Sequence, residues 1–163
     1  MSVVIADAGP LIALSRLQQL ELLRGVFGKV LITATVRNEI LPIVDYPGKC
    51  SLQAALEAGW LQTVDDPSGN WQPLCGGVDP GEASAIHLAC LLANNTLLIM
   101  DDRAGRAEAN ARHLRFIGTA AVIGMAKLKG IIPTARPVLL ALRDSGYRLS
   151  EAVIQSVLSD IGE

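Results

Sequence analysis

Two short apolar runs, Val3-Val4-Ile5-Ala6 and Leu97-Leu98-Ile99-Met100, lead straight into aspartate: Asp7 after the first, Asp101-Asp102 after the second. Runs of this length, rich in branched residues and closed by a polar one, predict strands buried on both faces of a parallel sheet. In open parallel sheets the ligand site lies beyond the carboxyl ends of the strands. The pattern therefore places these aspartates at one sheet edge and predicts an acidic site there.

The chain between and around the two runs alternates strand and helix signals. After Asp7, Gly9-Pro10 precedes Leu11, Leu14, Leu17, Leu20 and Leu23, with Ile12 and Leu22 alongside, which predicts one amphipathic helix running to about Gly25. Val30-Leu31-Ile32 reads as a second strand, 35–41 as a short helix stopped by Pro42, and Ser51 as the N-cap of a helix ended by Gly59. Trp60 to Val64 reads as an edge-like strand. The polar stretch from Asp65 to Val78 reads as a long loop of the kind often tied to function. Asp79-Pro80-Gly81-Glu82 then has the form of a capping box, opening a helix whose buried stripe is Ala83, Ile86, Ala89, Cys90 and Ala93, stopped at Asn94-Asn95. Beyond the second aspartate-closed strand come a helix over 103–112, a last strand over 113–117, and three helices over 119–129, 134–144 and 150–161. The expected fold is α/β: a three-layer α/β/α domain with a mainly parallel central sheet, one domain over 1–163, with C-terminal helices from about 119 packed on it.

Composition narrows the function classes. Half of the 163 residues are apolar and mean hydropathy is +0.37, yet no run approaches the roughly 18 residues of a membrane-spanning helix. Without a signal-peptide pattern the expected location is cytoplasmic. The three cysteines, Cys50, Cys75 and Cys90, lack ligand-type spacing, which argues against a disulfide framework and a zinc site. His87 and His113 have no partners in sequence and receive no chemistry. Net charge is −2, but residues 103–148 carry +7 and the remainder −9. A basic surface beside an acidic pocket suits a polyanion; scattered arginines on ordinary helix surfaces are the plainer account.

Four acids stand where such a sheet brings chain ends together: Asp7, Asp102 with Asp101 beside it, Glu39 on the early helix, and Glu82 in the first turn of the central helix. At an effective dielectric of about 20, two carboxylates about 4 Å apart repel by about 4 kcal/mol, so such a cluster takes up protons or binds cations. Oxygen-only ligands favour Mg²⁺ or Mn²⁺ over zinc, and such ions support in-line displacement at a phosphodiester. Each acid also has a bland reading: Glu82 as capping partner of Asp79, Glu39 as a solvated helix residue, Asp101-Asp102 as turn and cap. Asp7, leaving a buried strand, is the hardest to dismiss. The G-x-G-x-x-G and G-x-x-x-x-G-K-[ST] phosphate loops are absent.

The order of the acids, set in Val3-Val4-Ile5-Ala6-Asp7-Ala8-Gly9-Pro10-Leu11, Val36-Arg37-Asn38-Glu39-Ile40, Asp79-Pro80-Gly81-Glu82-Ala83-Ser84-Ala85-Ile86 and Leu98-Ile99-Met100-Asp101-Asp102-Arg103, resembles a PIN domain over nearly the whole chain. The GEAxAI helix and DDRxGR turn resemble an uncharacterised prokaryotic branch of that family. The resemblance implies an Mg²⁺- or Mn²⁺-dependent ribonuclease, in many prokaryotic cases a VapC-like toxin held by a cognate antitoxin. It implies that Asp7, Glu39, Glu82 and Asp102 form the catalytic metal site, with Asp101 as an extra ligand. A metal-activated water would attack the RNA phosphodiester and leave a 5′-phosphate, with Arg103 and Arg106 guiding the RNA backbone. The chain departs from the family pattern at Ala8-Gly9, where a hydroxyl or amide residue is common, and at Met100, where threonine is common. These departures keep a second reading open, a PIN-like binding or regulatory module with weakened catalysis. The apolar composition and the family's habit point to a homodimer, and few aromatics argue against extensive base stacking.

Overall fold

In the computed structural model, which describes residues 2–92 and 95–163, the first apolar run is strand β1, Val3–Ala6. The other strands are β2 (Val30–Thr33), β3 (Leu61–Val64), β4 (Thr96–Ile99) and β5 (Phe116–Ile117). The described helices are α1 (Ala8–Arg16), α2 (Glu21–Phe27), α3 (Ala34–Ile40), α4 (Lys49–Ala58), α5 (Pro80–Leu92), α6 (Arg103–Ala111), α7 (Thr119–Leu128), α8 (Arg136–Asp144) and α9 (Glu151–Ile161). The five strands form one all-parallel sheet in the order β3-β2-β1-β4-β5. Its helix-covered faces make the three-layer α/β/α architecture that strand and helix alternation predicts.

Alternation along the strands assigns the layers. Val4, Ala6, Val30, Ile32 and Ile99 share a core with residues of α1, α2, α7, α8 and α9. Ile5, Leu98 and Met100 point the other way, into a smaller core with Ala85, Ile86 and Ala89 of α5 and Ala109 of α6. The period of two is what a strand buried on both faces requires. Full burial of each of these larger side chains contributes about 1.5–3 kcal/mol.

Several local expectations are corrected. The leucine-rich helix is two helices, because the chain turns at Gln18, whose φ is 59°, and Gln19 N–H donates back to the Leu14 carbonyl at 2.9 Å. Leucines spaced strictly by threes drift round a helix of 3.6 residues per turn, and the turn redirects Leu20, Leu22 and Leu23 into the core. Helix α4 starts two residues before Ser51, with Gly48 in the left-handed region at its N-cap, while Gly59 ends it as expected. The last strand is reduced to Phe116–Ile117, since His113 takes a left-handed turn at φ 57°. In α5 the buried positions include Ala85, Ile86, Leu88 and Ala89, whereas Ala83 and Cys90 are half-buried. Ala93 and Asn94 lie outside the described residues.

The 65–78 loop is held at both ends. Asp66 accepts hydrogen bonds from Thr35 N–H at 3.0 Å and Thr35 Oγ1 at 2.6 Å. Near the other end, buried Glu108 accepts from Leu74 N–H and Cys75 N–H, both at 2.7 Å, and pairs with Arg112 Nε at 2.9 Å. Arg112 also donates to the Gln72 carbonyl at 2.6 Å and lies 4.6 Å over the Trp71 ring, which stacks on His87 with centroids 5.0 Å apart. This network delivers the chain to Asp79 and the start of α5.

Candidate active site

Strand β1 sits at the middle of the sheet. The chain proceeds from it to β2 and β3 on one side, then crosses to β4 on the other, so the crevice between the carboxyl ends of β1 and β4 is the switch point where open parallel sheets bind ligands. Asp7 is the first residue past β1, and its N–H donates to the Ile99 carbonyl at 3.1 Å. Asp101 and Asp102 follow β4, Glu39 lies in the last turn of α3 after β2, and Glu82 lies in the first turn of α5. One cleft of about 860 Å³ is lined by Asp7, Glu39, Glu82, Asp101 and Asp102, and also by Asp79. The four acids singled out from sequence therefore share a cleft, with Asp79 as an addition.

The acids differ in how they are satisfied. Asp7 and Glu82 are 6% and 3% exposed, and neither forms an ion pair with a described residue. Burial, opposed in part by the Ala8 N–H and reinforced by Asp79, Glu39 and Asp102, pushes the Asp7 carboxyl up to about 7. Burial likewise raises Glu82 to about 8, with the Asp79 N–H working against it and the charges of Asp79, Asp7 and Asp102 working with it. Glu39 is raised too, by burial first and by Asp79 second. Removing carboxylates from water without cationic partners drives them toward protonation or cation binding.

Glu82 caps its helix and also lines the cleft. Its N–H donates to Asp79 Oδ1 at 2.8 Å, and its Oε2 accepts from Asp79 N–H at 3.2 Å, a complete capping box. Asp102 is likewise a cap that faces the cleft, since its Oδ2 accepts from Ala104 N–H at 3.0 Å and Gly105 N–H at 3.4 Å. Glycines in the two flanking motifs explain the close packing. A Cβ on Gly81 would lie 2.9 Å from Glu39 Cδ, and one on Gly105 would lie 2.5 Å from Met100 Sδ and 3.3 Å from Glu82 Cδ. A larger residue at Gly81 displaces the Glu39 carboxylate, and one at Gly105 displaces Met100 first and crowds Glu82.

Asp101 is engaged differently. It accepts from Thr119 N–H at 3.0 Å, from Thr119 Oγ1 at 2.6 Å and from the Tyr147 hydroxyl, and Arg106 Nη2 lies 3.6 Å from its Oδ1. Tyr147 is pushed above the usual phenol range by burial and by the Asp101 charge. Arg106 also donates from Nε to the Met100 carbonyl at 2.9 Å and covers the Phe116 ring at 5.4 Å. It lines a neighbouring cavity, while Arg103 lines the acidic cleft. Met100 is fully buried in the smaller core, and the hydroxyl near the acids comes instead from Thr119 on Asp101.

The donors available to a ligand in the cleft are carboxylate oxygens. Hard oxygen sets fit Mg²⁺ or Mn²⁺, not a thiophilic or imidazole-bound metal. Among the described residues no three His, Cys, Asp or Glu side chains stand close enough together to form a ready-made metal site. The fit thus rests on donor chemistry and on two buried, unpaired carboxylates, and cation binding would draw the side chains inward. Sequence reasoning passed over Asp79 as a site residue because its capping pattern explained it, and passed over Tyr147 and Arg148 because nothing local marks them.

A parallel α/β/α sheet with carboxylates gathered at its switch point defines an acidic-site α/β domain. A family model described as a PIN domain matches residues 3–163, and the chain belongs to that family. PIN domains are typically nucleases and generally use divalent metal ions. No curated protein matches the chain. Among the described residues no helix is long and apolar enough to cross a membrane.

Proposed function

We propose that the protein is a divalent-metal-dependent endoribonuclease, acting as the toxin of a toxin–antitoxin pair or as a related RNA-processing enzyme of the cytoplasm. The observation that carries this reading is the pair Asp7 and Glu82, buried and without cationic partners, facing one cleft with Glu39 and Asp102. Asp7, Glu82 and Asp102 are the proposed ligands of Mg²⁺ or Mn²⁺, and Glu39 completes the acidic wall. A bound divalent cation would supply the positive charge that orients a water and offsets charge on the phosphodiester. Hydrolysis adds water at phosphorus and breaks the P–O3′ bond, leaving a 5′-phosphate and a 3′-hydroxyl. Arg103 at the rim binds the RNA backbone. Asp101, which takes hydrogen bonds from Thr119 and Tyr147, holds the cleft wall rather than the metal, and Arg106 supports it.

A second reading, a PIN-like binding module with weakened catalysis, is favoured by the lack of a converged ligand triad among the described residues. One assay decides between them. Purified protein is incubated with single-stranded RNA and Mg²⁺ or Mn²⁺, and Asp7→Asn and Asp102→Asn are run beside it. Cleavage by the wild type that both variants abolish supports the nuclease; no cleavage with either ion, or equal cleavage by wild type and variants, overturns it. For partners, the exposed Val44 lines a cleft of about 280 Å³, and with the exposed Ile43 next to it in sequence it is the proposed contact for a second copy or an antitoxin segment. Sedimentation as a monomer at micromolar concentration counts against the homodimer.

A further inference from the structure

A second cavity, of about 440 Å³, lies beside β5 and shares Asp101, Arg148 and Ser150 with the acidic cleft. Its lining is largely apolar, with Phe116, Leu149 and Val153 among the walls. Arg148 stands where the two cavities meet. It is exposed, and it makes no hydrogen bond or ion pair with a described residue. Its neighbour Tyr147 donates to Asp101, and Asp101 is held in turn by Thr119 and Arg106. The segment between α8 and α9 is therefore tied to the end of β4 through Tyr147, which anchors the backbone that carries the unpartnered Arg148 at the lining shared by the two cavities. A guanidinium in such a place is suited to a phosphate, which it can grip with two N–H groups.

We propose that the cavity beside β5 is the subsite for a nucleotide flanking the cleaved bond, with its phosphate bound by Arg148 and its base against the apolar wall, and with Tyr147 as the positioning residue. This rests on the nuclease reading and adds to it the path of the strand out of the acidic cleft, toward α9. The contact is one phosphate, so it has a salt signature: each phosphate neutralised on a single strand contributes about 0.7 to the slope of log K against log salt.

The test measures fluorescence anisotropy of a labelled single-stranded RNA 12-mer with Ca²⁺ present, probe integrity being checked on a gel. Arg148→Ala is expected to weaken binding at least fivefold and to lower the salt slope by about 0.7, while Arg148→Lys restores most of the slope. Tyr147→Phe is expected to lower the slope partly, in protein that circular dichroism shows to be folded at the assay temperature. Val153→Glu, on an exposed wall position, is expected to weaken binding at least threefold. A wild type that binds while Arg148→Ala keeps its affinity and slope overturns the subsite and leaves the nuclease reading standing. A wild type that neither binds nor cleaves the RNA overturns both.

Discussion

Glu82 and Glu108 are both buried glutamates on neighbouring helices of the same layer, and they are opposite in kind. Glu108 is fully enclosed, yet two backbone N–H groups and Arg112 meet its oxygens, and its carboxyl is held below the usual range in spite of burial. Glu82 has one long backbone contact, no cation, and three acids nearby, and it is raised to about 8. Burial alone does not separate carboxylates that the fold neutralises from those that it leaves uncompensated. The separating property is whether the fold supplies the compensating charge, as it does at the loop anchor and does not at the cleft.

The larger of two expected mutational effects tests the anchor. Glu108→Gln exchanges a charge-assisted network for a neutral one and leaves Arg112 without its ion pair, so urea unfolding is expected to show a loss of about 3 kcal/mol. A change under about 0.5 kcal/mol would put the two glutamates in one class. The next effect runs the other way. Asp7→Asn, measured without divalent cations at pH 8, is expected to stabilise the protein by about 2 kcal/mol, because a carboxyl raised from 3.8 to about 7 carries about 4 kcal/mol of penalty when charged. In the wild type, 10 mM Mg²⁺ is expected to raise the melting temperature, and in Asp7→Asn to raise it much less.

The third test is the pH profile. For Asp7 and Glu82 the folded form holds protons more tightly than the unfolded chain, so their penalty is absent below about pH 4, grows as pH rises toward 7 to 8, and is constant above. Glu108 is lowered in the fold, so its contribution is complete above its ordinary value of 4.5 and is lost as pH falls through the lower folded value. Metal-free protein is therefore expected to lose stability between about pH 4 and 8 through the cleft, and below about pH 4 through the anchor. Denaturant midpoints across pH check this, and a shallower neutral-range slope in Asp7→Asn, with the Glu82 share remaining, assigns it to the cleft.

Much of this was visible in the sequence for a definite reason. An apolar run ended by aspartate encodes both the buried strand and the direction in which its last residue leaves the sheet, so Asp7 and Asp102 locate the site edge together. Glu82 is ambiguous in sequence because a capping glutamate in a first turn can also line a cleft, and here it does. Glu108 could not be read at all: its partners Leu74 and Cys75 are more than thirty positions away, and only the packing of the loop on α6 brings them together. The same holds for Tyr147 on Asp101, forty-six positions apart. The break at Gln18 was hidden because a leucine repeat of three satisfies a helical template without saying where the helix stops.

The stack of Trp71 on His87 beneath Arg112 gives the molecule an optical handle. The chain has two tryptophans, and the sheet separates them: Trp60 packs into the larger core and Trp71 against the smaller one. Indole emission thus carries two signals, one from each side of the sheet. With Trp60→Phe, the remaining emission would report release of the loop anchor by itself, without any added dye.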